Sequence, residues 1–116
     1  MDMCEVFKAL GEATRLRIMA LLSQQELCVC VICKALCIPQ PTASKHLNRL
    51  RMSGLIRCRR LSQWCYYRIS DTFAATPLFS CLKKLWEEDS QYAGDLKRLQ
   101  ALLDSCACKE QMLRHD

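Results

Sequence analysis

The sequence predicts a mainly α-helical fold with one small β-hairpin. Helices are indicated before residue 54 and after residue 76, because apolar side chains recur there at intervals of three and four. A hairpin is indicated between them, where the pattern changes to two short runs rich in aromatic and branched residues. The 116 residues fit one hydrophobic core rather than two. We therefore expect one domain over residues 1–105 and a cysteine-containing tail over residues 106–116.

The first part of the chain predicts three short helices. The first covers residues 4–10 and stops at Gly11, the second follows directly, and the third covers residues 26–36. Residues 38–41 contain two prolines, which interrupt the helical backbone.

A fourth helix, predicted over residues 41–52, differs in character from the first three. Pro41 suits its first turn, and Gly54 provides the left-handed residue that ends it. The helix carries a narrow apolar stripe, and most of its other side chains can form hydrogen bonds. Such a helix builds little core and is suited to lie in a groove.

The predicted hairpin pairs residues 55–60 with residues 64–69 through a short connection that contains no glycine. After it, Thr76 is expected to cap, and Pro77 to open, a long helix that runs to about residue 104.

Apolar residues recur along this last helix at heptad spacing, with a polar break at Asp89. A heptad seam is typical of helices that associate between chains. The alternative is that the helix packs only on the core of its own chain. We expect a homodimer formed through the first and last helices. The predicted interface residues are Val6, Phe7, Leu10, Leu78, Leu82, Leu85, Tyr92, Leu96 and Leu99.

Charge is distributed unevenly along the chain, whose formal net charge is +5. Residues 27–70 hold eight basic and no acidic residues, whereas the remainder holds nine basic and twelve acidic ones. A basic middle between acidic flanks is typical of a surface that binds nucleic acid. The alternative is a solvated surface that is basic for no functional reason.

No targeting or membrane segment is apparent. The longest apolar run, residues 27–33, is far shorter than the roughly 20 residues that a membrane span needs, and the first residues do not have the pattern of a secretory signal. We expect a cytoplasmic protein whose ten cysteines are mostly reduced. Neither a catalytic grouping nor a phosphate-binding loop is apparent, so we expect neither an enzyme nor an organic cofactor.

Two short helices, a polar helix opened by proline and a basic hairpin make a winged helix-turn-helix. Residues 26–33 read Glu-Leu-Cys-Val-Cys-Val-Ile-Cys and resemble the metal box of the ArsR/SmtB repressors in its arsenic-responsive form. The supporting motifs are residues 7–11, 14–18, 40–41, 44–47, 53–56 and 67–68. The resemblance implies a homodimeric repressor that leaves its double-stranded operator DNA when a metal or metalloid ion binds.

Three cysteines of this stretch, Cys28, Cys30 and Cys33, are the expected metal ligands, and we call them the cysteine box. Thiolates are soft ligands that favour As(III) or Sb(III) over hard ions, and structural zinc usually takes four ligands rather than three. The inducer is therefore expected to be As(III) or Sb(III). The last helix contains no histidine, which excludes the zinc site that some relatives carry there.

The other cysteines provide alternatives. Cys106 and Cys108 are the second choice for the sensor site, because two thiols two residues apart can share a soft ion if a third ligand arrives. By resemblance to cadmium- and lead-sensing relatives, Cys4 could reach the box of the partner chain. Four further cysteines are expected to be buried small hydrophobic residues: Cys37, Cys58, Cys65 and Cys81.

Helical spacing suggests a mechanism for the box. At about 100° per residue, Cys30 and Cys33 lie about 60° apart on one face, whereas Cys28 points about 160° away from Cys30. Binding all three sulfurs to one ion should therefore reshape the start of this helix and tilt the helix over residues 41–52. The position near a helix N-terminus should also lower the pKa of the thiols.

Two sets of residues are expected to contact DNA. In the polar helix and just before it, the candidates for base edges and nearby phosphates are Gln40, Thr42, Ser44, Lys45, His46, Asn48 and Arg49. In the hairpin, the candidates for phosphates are Arg57, Arg59 and Arg60. The alternative for any single charge is simple solvation, and for His46 a structural hydrogen bond.

Three rival functions remain open at this point. The first is a repressor of the same fold that responds to thiol oxidation or persulfide formation. The second is a sensor of cadmium or lead. The third, from another class, is a cysteine-rich metal-binding protein whose basic surface has no role in DNA binding.

Overall fold

The computed structural model describes residues 1–105, and within that range the chain forms seven helices and three strands. In chain order these are α1 (Met3–Leu10), α2 (Ala13–Leu22), β1 (Leu27–Cys28), α3 (Val29–Leu36), α4 (Gln40–Met52), β2 (Ile56–Leu61), β3 (Trp64–Ile69), α5 (Asp71–Ala74), α6 (Pro77–Glu87) and α7 (Ser90–Leu103). No helix in this range is both long and apolar enough to cross a membrane.

The predicted hairpin is confirmed, and we call β2 and β3 together the wing. The strands pair antiparallel from Ile56 opposite Ile69 to Leu61 opposite Trp64. Their two-residue connection needs no glycine, because Ser62 itself adopts a left-handed φ of 58°.

A third strand, β1, was not expected from the sequence. It pairs antiparallel with β3, with Leu27 opposite Tyr67 and Cys28 opposite Tyr66, so the sheet order is β1-β3-β2. The expected helix over residues 26–36 is therefore wrong at its start. The helix α3 begins only at Val29, because the two preceding residues are held extended by backbone hydrogen bonds to the wing.

The polar helix and its ends agree with expectation. Pro39 caps α4 without a side-chain hydrogen bond, and Pro41 occupies the first turn. After the last turn, Gly54 has a φ of 81°, a left-handed conformation that glycine adopts without steric cost.

The expected long C-terminal helix is wrong, because the chain forms α6 and α7 instead. Thr76 caps α6 as predicted, and its hydroxyl accepts from the backbone N–H of Phe79 at 3.3 Å. The break falls at Asp89, whose carboxylate accepts from the backbone N–H of Gln91 at 2.9 Å and so caps α7. The polar break in the heptad pattern is therefore a helix start, and one continuous seam does not exist.

The core of the single chain already contains part of the predicted dimer face. Val6, Leu10 and Leu99 are buried within the chain, while Phe7 is 52% and Leu85 61% exposed. The remaining predicted interface residues are partly buried against the same core: Leu78, Leu82, Tyr92 and Leu96. Phe7 and Leu85 are thus the members of the set whose side chains extend most into solvent.

A buried carboxylate joins α7 to two other helices. Asp95 is 0% exposed and accepts from Arg17 Nε at 2.8 Å and Arg17 Nη2 at 2.9 Å, and Arg98 also donates to it. The same arginines reach the end of α3: Arg17 donates to the carbonyl of Leu36 at 3.1 Å, and Arg98 donates to that of Ala35 at 2.7 Å. The network ties α2, α7 and the C-terminal end of α3 together.

Candidate functional site

The helix α4 presents a polar face to solvent from an apolar base. Ala43, Leu47 and Leu50 are fully buried and fix the helix to the core. On the opposite side, four of the predicted DNA-contacting residues are exposed: Gln40, Ser44, Lys45 and Asn48. Their spacing of four, one and three residues places them on one side of the helix. This arrangement suits insertion into a DNA groove.

The other predicted residues of α4 are oriented differently. His46 is only 8% exposed, and its Nδ1 lies 3.2 Å from Arg15 Nη1. Arg49 is half-buried and lies 3.3 Å from the carboxylate of Glu5 in α1. Thr42 is half-buried. The contacts of His46 thus fit the alternative of a structural hydrogen bond. Arg49 forms an ion pair within the protein.

The wing carries three predicted phosphate contacts, all exposed. Arg59 forms a two-pronged ion pair with Glu26, with Nε at 3.0 Å and Nη2 at 2.6 Å from the carboxylate oxygens. Arg57 and Arg60 are the other two predicted phosphate contacts. Because Glu26 immediately precedes β1, this ion pair links the wing to the segment that carries the cysteine box.

Sequence reasoning missed Arg51 as a member of the basic surface. It is exposed at the C-terminal end of α4 and donates to Asn48 Oδ1 at 2.8 Å. Together with Arg57 and Cys58 it lines a cleft of about 440 Å³ between α4 and the wing. Its position three residues after Asn48 was the signal that could have placed it on the polar face.

Burial of His46 makes the stability of the fold depend on pH. The pKa of His46 is lowered from 6.5, first by burial and then by the positive charges of Arg15 and Lys45, while Glu12 opposes this. Because the folded form binds the proton less readily than the unfolded form, the contribution of His46 to the free energy of unfolding is fully present above pH 6.5 and is lost as the pH decreases below it.

We expect urea denaturation to show this loss of unfolding free energy between pH 7.5 and 5.5. In a His46→Gln variant the free energy of unfolding should change less over this pH range than in the wild type. An unchanged pH dependence would contradict the role given to His46.

The cysteine box has a geometry that helical spacing alone did not anticipate. Cys28 precedes α3 in an extended conformation, and its Sγ lies 3.0 Å from the Sγ of Cys30. The expected separation of about 160° is therefore wrong, because it assumed that Cys28 belongs to the helix. Cys30 and Cys33 are three residues apart in α3 and occupy neighbouring positions on its surface.

The expected lowering of the thiol pKa values is also wrong for two members of the box. Burial raises the pKa of Cys28 to about 12, with a further contribution from its hydrogen bond with Cys30. The backbone N–H groups of Val31 and Cys30 act in the opposite direction, as a helix N-terminus should, but they are outweighed. Burial, and then the charge of Cys30, also raises the pKa of Cys33.

Within residues 1–105, no group of three or more histidine, cysteine or acidic side chains converges closely enough to hold a metal ion. Two sulfurs of the box already meet, so a third sulfur has to move to complete a three-sulfur site. The second-choice ligands, Cys106 and Cys108, lie outside the described residues. Cys4 is exposed at the start of α1.

Four cysteines were expected to be buried, and the structure contradicts this for all of them. Cys37, Cys58 and Cys81 are exposed, and Cys65 is partly exposed. Cys37 ends α3 with a left-handed φ of 58°, and Cys58 and Cys65 lie on the wing, whose outer strand β2 is largely exposed.

A polar helix held out from a helical core, next to a basic hairpin, defines a winged helix-turn-helix regulator that binds DNA. The family model for bacterial regulatory proteins of the arsR family matches residues 12–57. The chain belongs to this family, the ArsR/SmtB family of transcriptional repressors. The resemblance found in the sequence is confirmed, and so is the expectation that the chain is not an enzyme.

Three similar proteins illustrate the relationship. The chain is 46% identical over 68 residues to an uncharacterized HTH-type transcriptional regulator of Methanocaldococcus jannaschii, covering 58% of this chain and 76% of that one. It is 49% identical over 67 residues to the arsenical resistance operon repressor of Escherichia coli K12, covering 57% of each chain. It is also similar to the solution structure of a homodimeric winged helix-turn-helix domain from Mycobacterium bovis, with a TM-score of 0.64, 36% identity and coverage of 73% and 78%.

Proposed function

We propose that a homodimer of this chain binds a palindromic operator and releases it when As(III) or Sb(III) binds the cysteine box, allowing transcription of a resistance operon in the cytoplasm. The observation that carries the proposal is the approach of the Cys28 and Cys30 sulfurs to 3.0 Å at the start of α3. The similarity to the E. coli arsenical resistance operon repressor supports the choice of metalloid. The homodimeric M. bovis domain supports the assembly.

Charge balance favours a trivalent metalloid over cadmium or lead. When arsenous acid reacts with three thiols, three S–H and three As–OH bonds break, three As–S bonds form and three water molecules leave. The charge of the site does not change. A divalent ion held by three thiolates would instead leave one negative charge, which burial disfavours. The same burial raises the pKa of Cys28 to about 12, so a reaction that starts and ends uncharged suits this site.

Two connections lead from the box to the DNA-binding elements. Cys28 pairs with Tyr66 of the wing through β1, so a change in its backbone acts on the wing directly. The helix α3 also packs on α4, which carries the residues proposed to face the DNA groove. Recruitment of Cys33 as the third sulfur should reshape the first turn of α3 and disturb both contacts. A coupling of about 1–3 kcal/mol would weaken operator binding by about 5- to 150-fold.

The proposal is tested with an operator selected from random duplex DNA by the metal-free protein. Arsenite is then titrated into the labelled complex under reducing conditions, and the fraction of bound DNA is measured by fluorescence anisotropy. We expect release at saturating arsenite, and undiminished binding would overturn the proposal. Cadmium and lead are titrated in parallel, and release by these ions alone would instead identify a sensor of divalent ions.

The close approach of the two sulfurs also favours a second candidate, a repressor that responds to thiol oxidation or persulfide formation. In that case an oxidant or a persulfide donor releases the operator without metalloid, and a reductant restores binding. Failure of both oxidant and persulfide to release DNA from the metal-free protein would exclude this candidate.

A single charge change tests the DNA surface on α4. We expect Lys45→Ala to weaken operator binding and to reduce the slope of log K against log salt by about 0.9, because one phosphate contact is lost. The matched control is Lys97→Ala, which changes an exposed lysine of α7. Equal slopes for the two variants would place Lys45 outside the interface.

A further inference from the structure

The wing carries a pair of cysteines that the proposed function does not use. In the β2–β3 register, Cys58 lies opposite Tyr67 and Cys65 lies opposite Arg60. Directly opposed residues of an antiparallel pair share a face, so these four side chains project from the same side of the wing. Cys28 pairs with Tyr66, in the adjacent row, and so belongs to the other face.

The two thiols are diagonal neighbours on this face, and Tyr67 lies directly opposite Cys58. Partial burial, followed by the charge of Cys65, raises the pKa of Cys58, and Arg51 opposes this shift. The exposed Cys58 also borders the cleft of about 440 Å³ that Arg51 and Arg57 line. A ligand can therefore reach the pair from solvent.

The number and spacing of the thiols restrict the ligand. Within residues 1–105, no third histidine, cysteine or acidic side chain joins Cys58 and Cys65, which disfavours on the wing the four-ligand sites of zinc and iron–sulfur clusters and a three-sulfur site. Diagonal neighbours in a sheet lie about 7–8 Å apart, beyond the usual reach of a disulfide, about 4.4–6.8 Å between Cα atoms. An ion placed between two sulfurs lengthens the link by two metal–sulfur bonds, so it can bridge a wider pair than a disulfide does. Of the ions that thiolates select, Cu(I) accepts two ligands.

We propose that Cys58 and Cys65 form a second soft-cation site, on the wing, that holds one Cu(I) ion between two thiolates. The ion brings one positive charge and displaces two thiol protons to solvent, so the site becomes one unit more negative. No change of oxidation state is involved. Arg51, next to Cys58, offsets the new charge, and Arg60, opposite Cys65, lies on the same face. Loading therefore makes the DNA-facing wing less positive and weakens its attraction to phosphates.

The test uses the full chain with the cysteine box and the tail pair removed, that is with Cys28, Cys30, Cys33, Cys106 and Cys108 all changed to serine. Cu(I) is titrated without oxygen against a chromogenic Cu(I) chelator. We expect one tightly held ion per chain, with two sulfur ligands by X-ray absorption. Adding Cys58→Ser should abolish it, whereas adding Cys81→Ser, an exposed cysteine of α6, should not. The proposal would be overturned if the ion still binds after Cys58→Ser, or if Cys81→Ser also abolishes its binding.

Two further measurements keep the test decisive. If the multiple variant does not fold, as judged by circular dichroism, the wild-type chain and its Cys58→Ser variant should differ by one bound Cu(I), and equal stoichiometry would overturn the proposal. Arsenite-induced release should be the same in the wild-type chain and in Cys58→Ser. The proposed wing site and the proposed role of the cysteine box can therefore be refuted independently of each other.

Discussion

Replacing Asp95 with alanine is expected to lower the free energy of unfolding by about 3 kcal/mol. The carboxylate is fully buried and accepts from Arg17 of α2 and from Arg98 of its own helix. Its removal leaves two guanidinium groups without their shared anion, in a position where α2, α3 and α7 meet. This loss is at the low end for a broken buried ion pair, because both arginines retain some contact with solvent.

The loss is measured by urea denaturation at pH 7 and at one protein concentration, since dimerisation would add to the apparent stability. Asp104→Ala is the matched control, because it changes an exposed aspartate at the end of α7 and should shift stability by less than about 0.5 kcal/mol. Equal effects of the two substitutions would show that the buried network does not contribute to the fold.

Changing Cys30 to serine is expected to abolish arsenite-induced release while operator binding remains. Cys30 is the central sulfur of the box, because it contacts Cys28 at 3.0 Å and its charge acts on Cys33. A hydroxyl in its place is a hard and weak ligand for As(III). The loss of affinity on adding arsenite, expected to be about 5- to 150-fold in the wild type, should therefore fall to about onefold.

Release is followed by anisotropy of the labelled operator, with Cys81→Ser as the matched control. Cys81 is exposed on α6 and belongs to neither thiol pair, so its variant should respond like the wild type. If Cys30→Ser still releases DNA at the same arsenite concentration, the sensor site is not the cysteine box. The tail cysteines, Cys106 and Cys108, would then be the next to replace.

The parts of the fold that local patterns determine were predictable. The helices α1, α2 and α4 and the wing follow from periodicity, turn residues and prolines, because these signals act within a few residues. The strand β1 was not predictable in this way. It has two residues and exists only because Leu27 and Cys28 pair with β3, about forty residues further along the chain.

The error in the C-terminal helices has a different origin. Heptad spacing from Leu78 onward favours one long helix that contains Asp89 as a polar break in the seam. Asp89 is instead the cap of a new helix, and its carboxylate accepts from a backbone N–H of α7. A residue type that can either interrupt a seam or begin a helix cannot be assigned from spacing alone.

For the candidate site, the residue types were predictable and their environments were not. The cysteine pattern located the box, but the meeting of two sulfurs depends on where α3 begins, which β1 decides. The partners of His46 and Arg59 come from residues 31 and 33 positions away, so no local pattern indicates them. The raised pKa of Cys28 likewise reflects burial by the whole fold rather than its place at a helix start.

The ion pair between Glu26 and Arg59 has a consequence for the search along the chromosome. Any phosphate that approaches this arginine has to compete with a carboxylate already in place, whatever the base sequence. On the proposed function, this competition would lower the affinity for every duplex by a similar factor and would not change the base contacts expected from α4. Random sites would then hold the protein more briefly, and it would sample more of them before it reaches the operator.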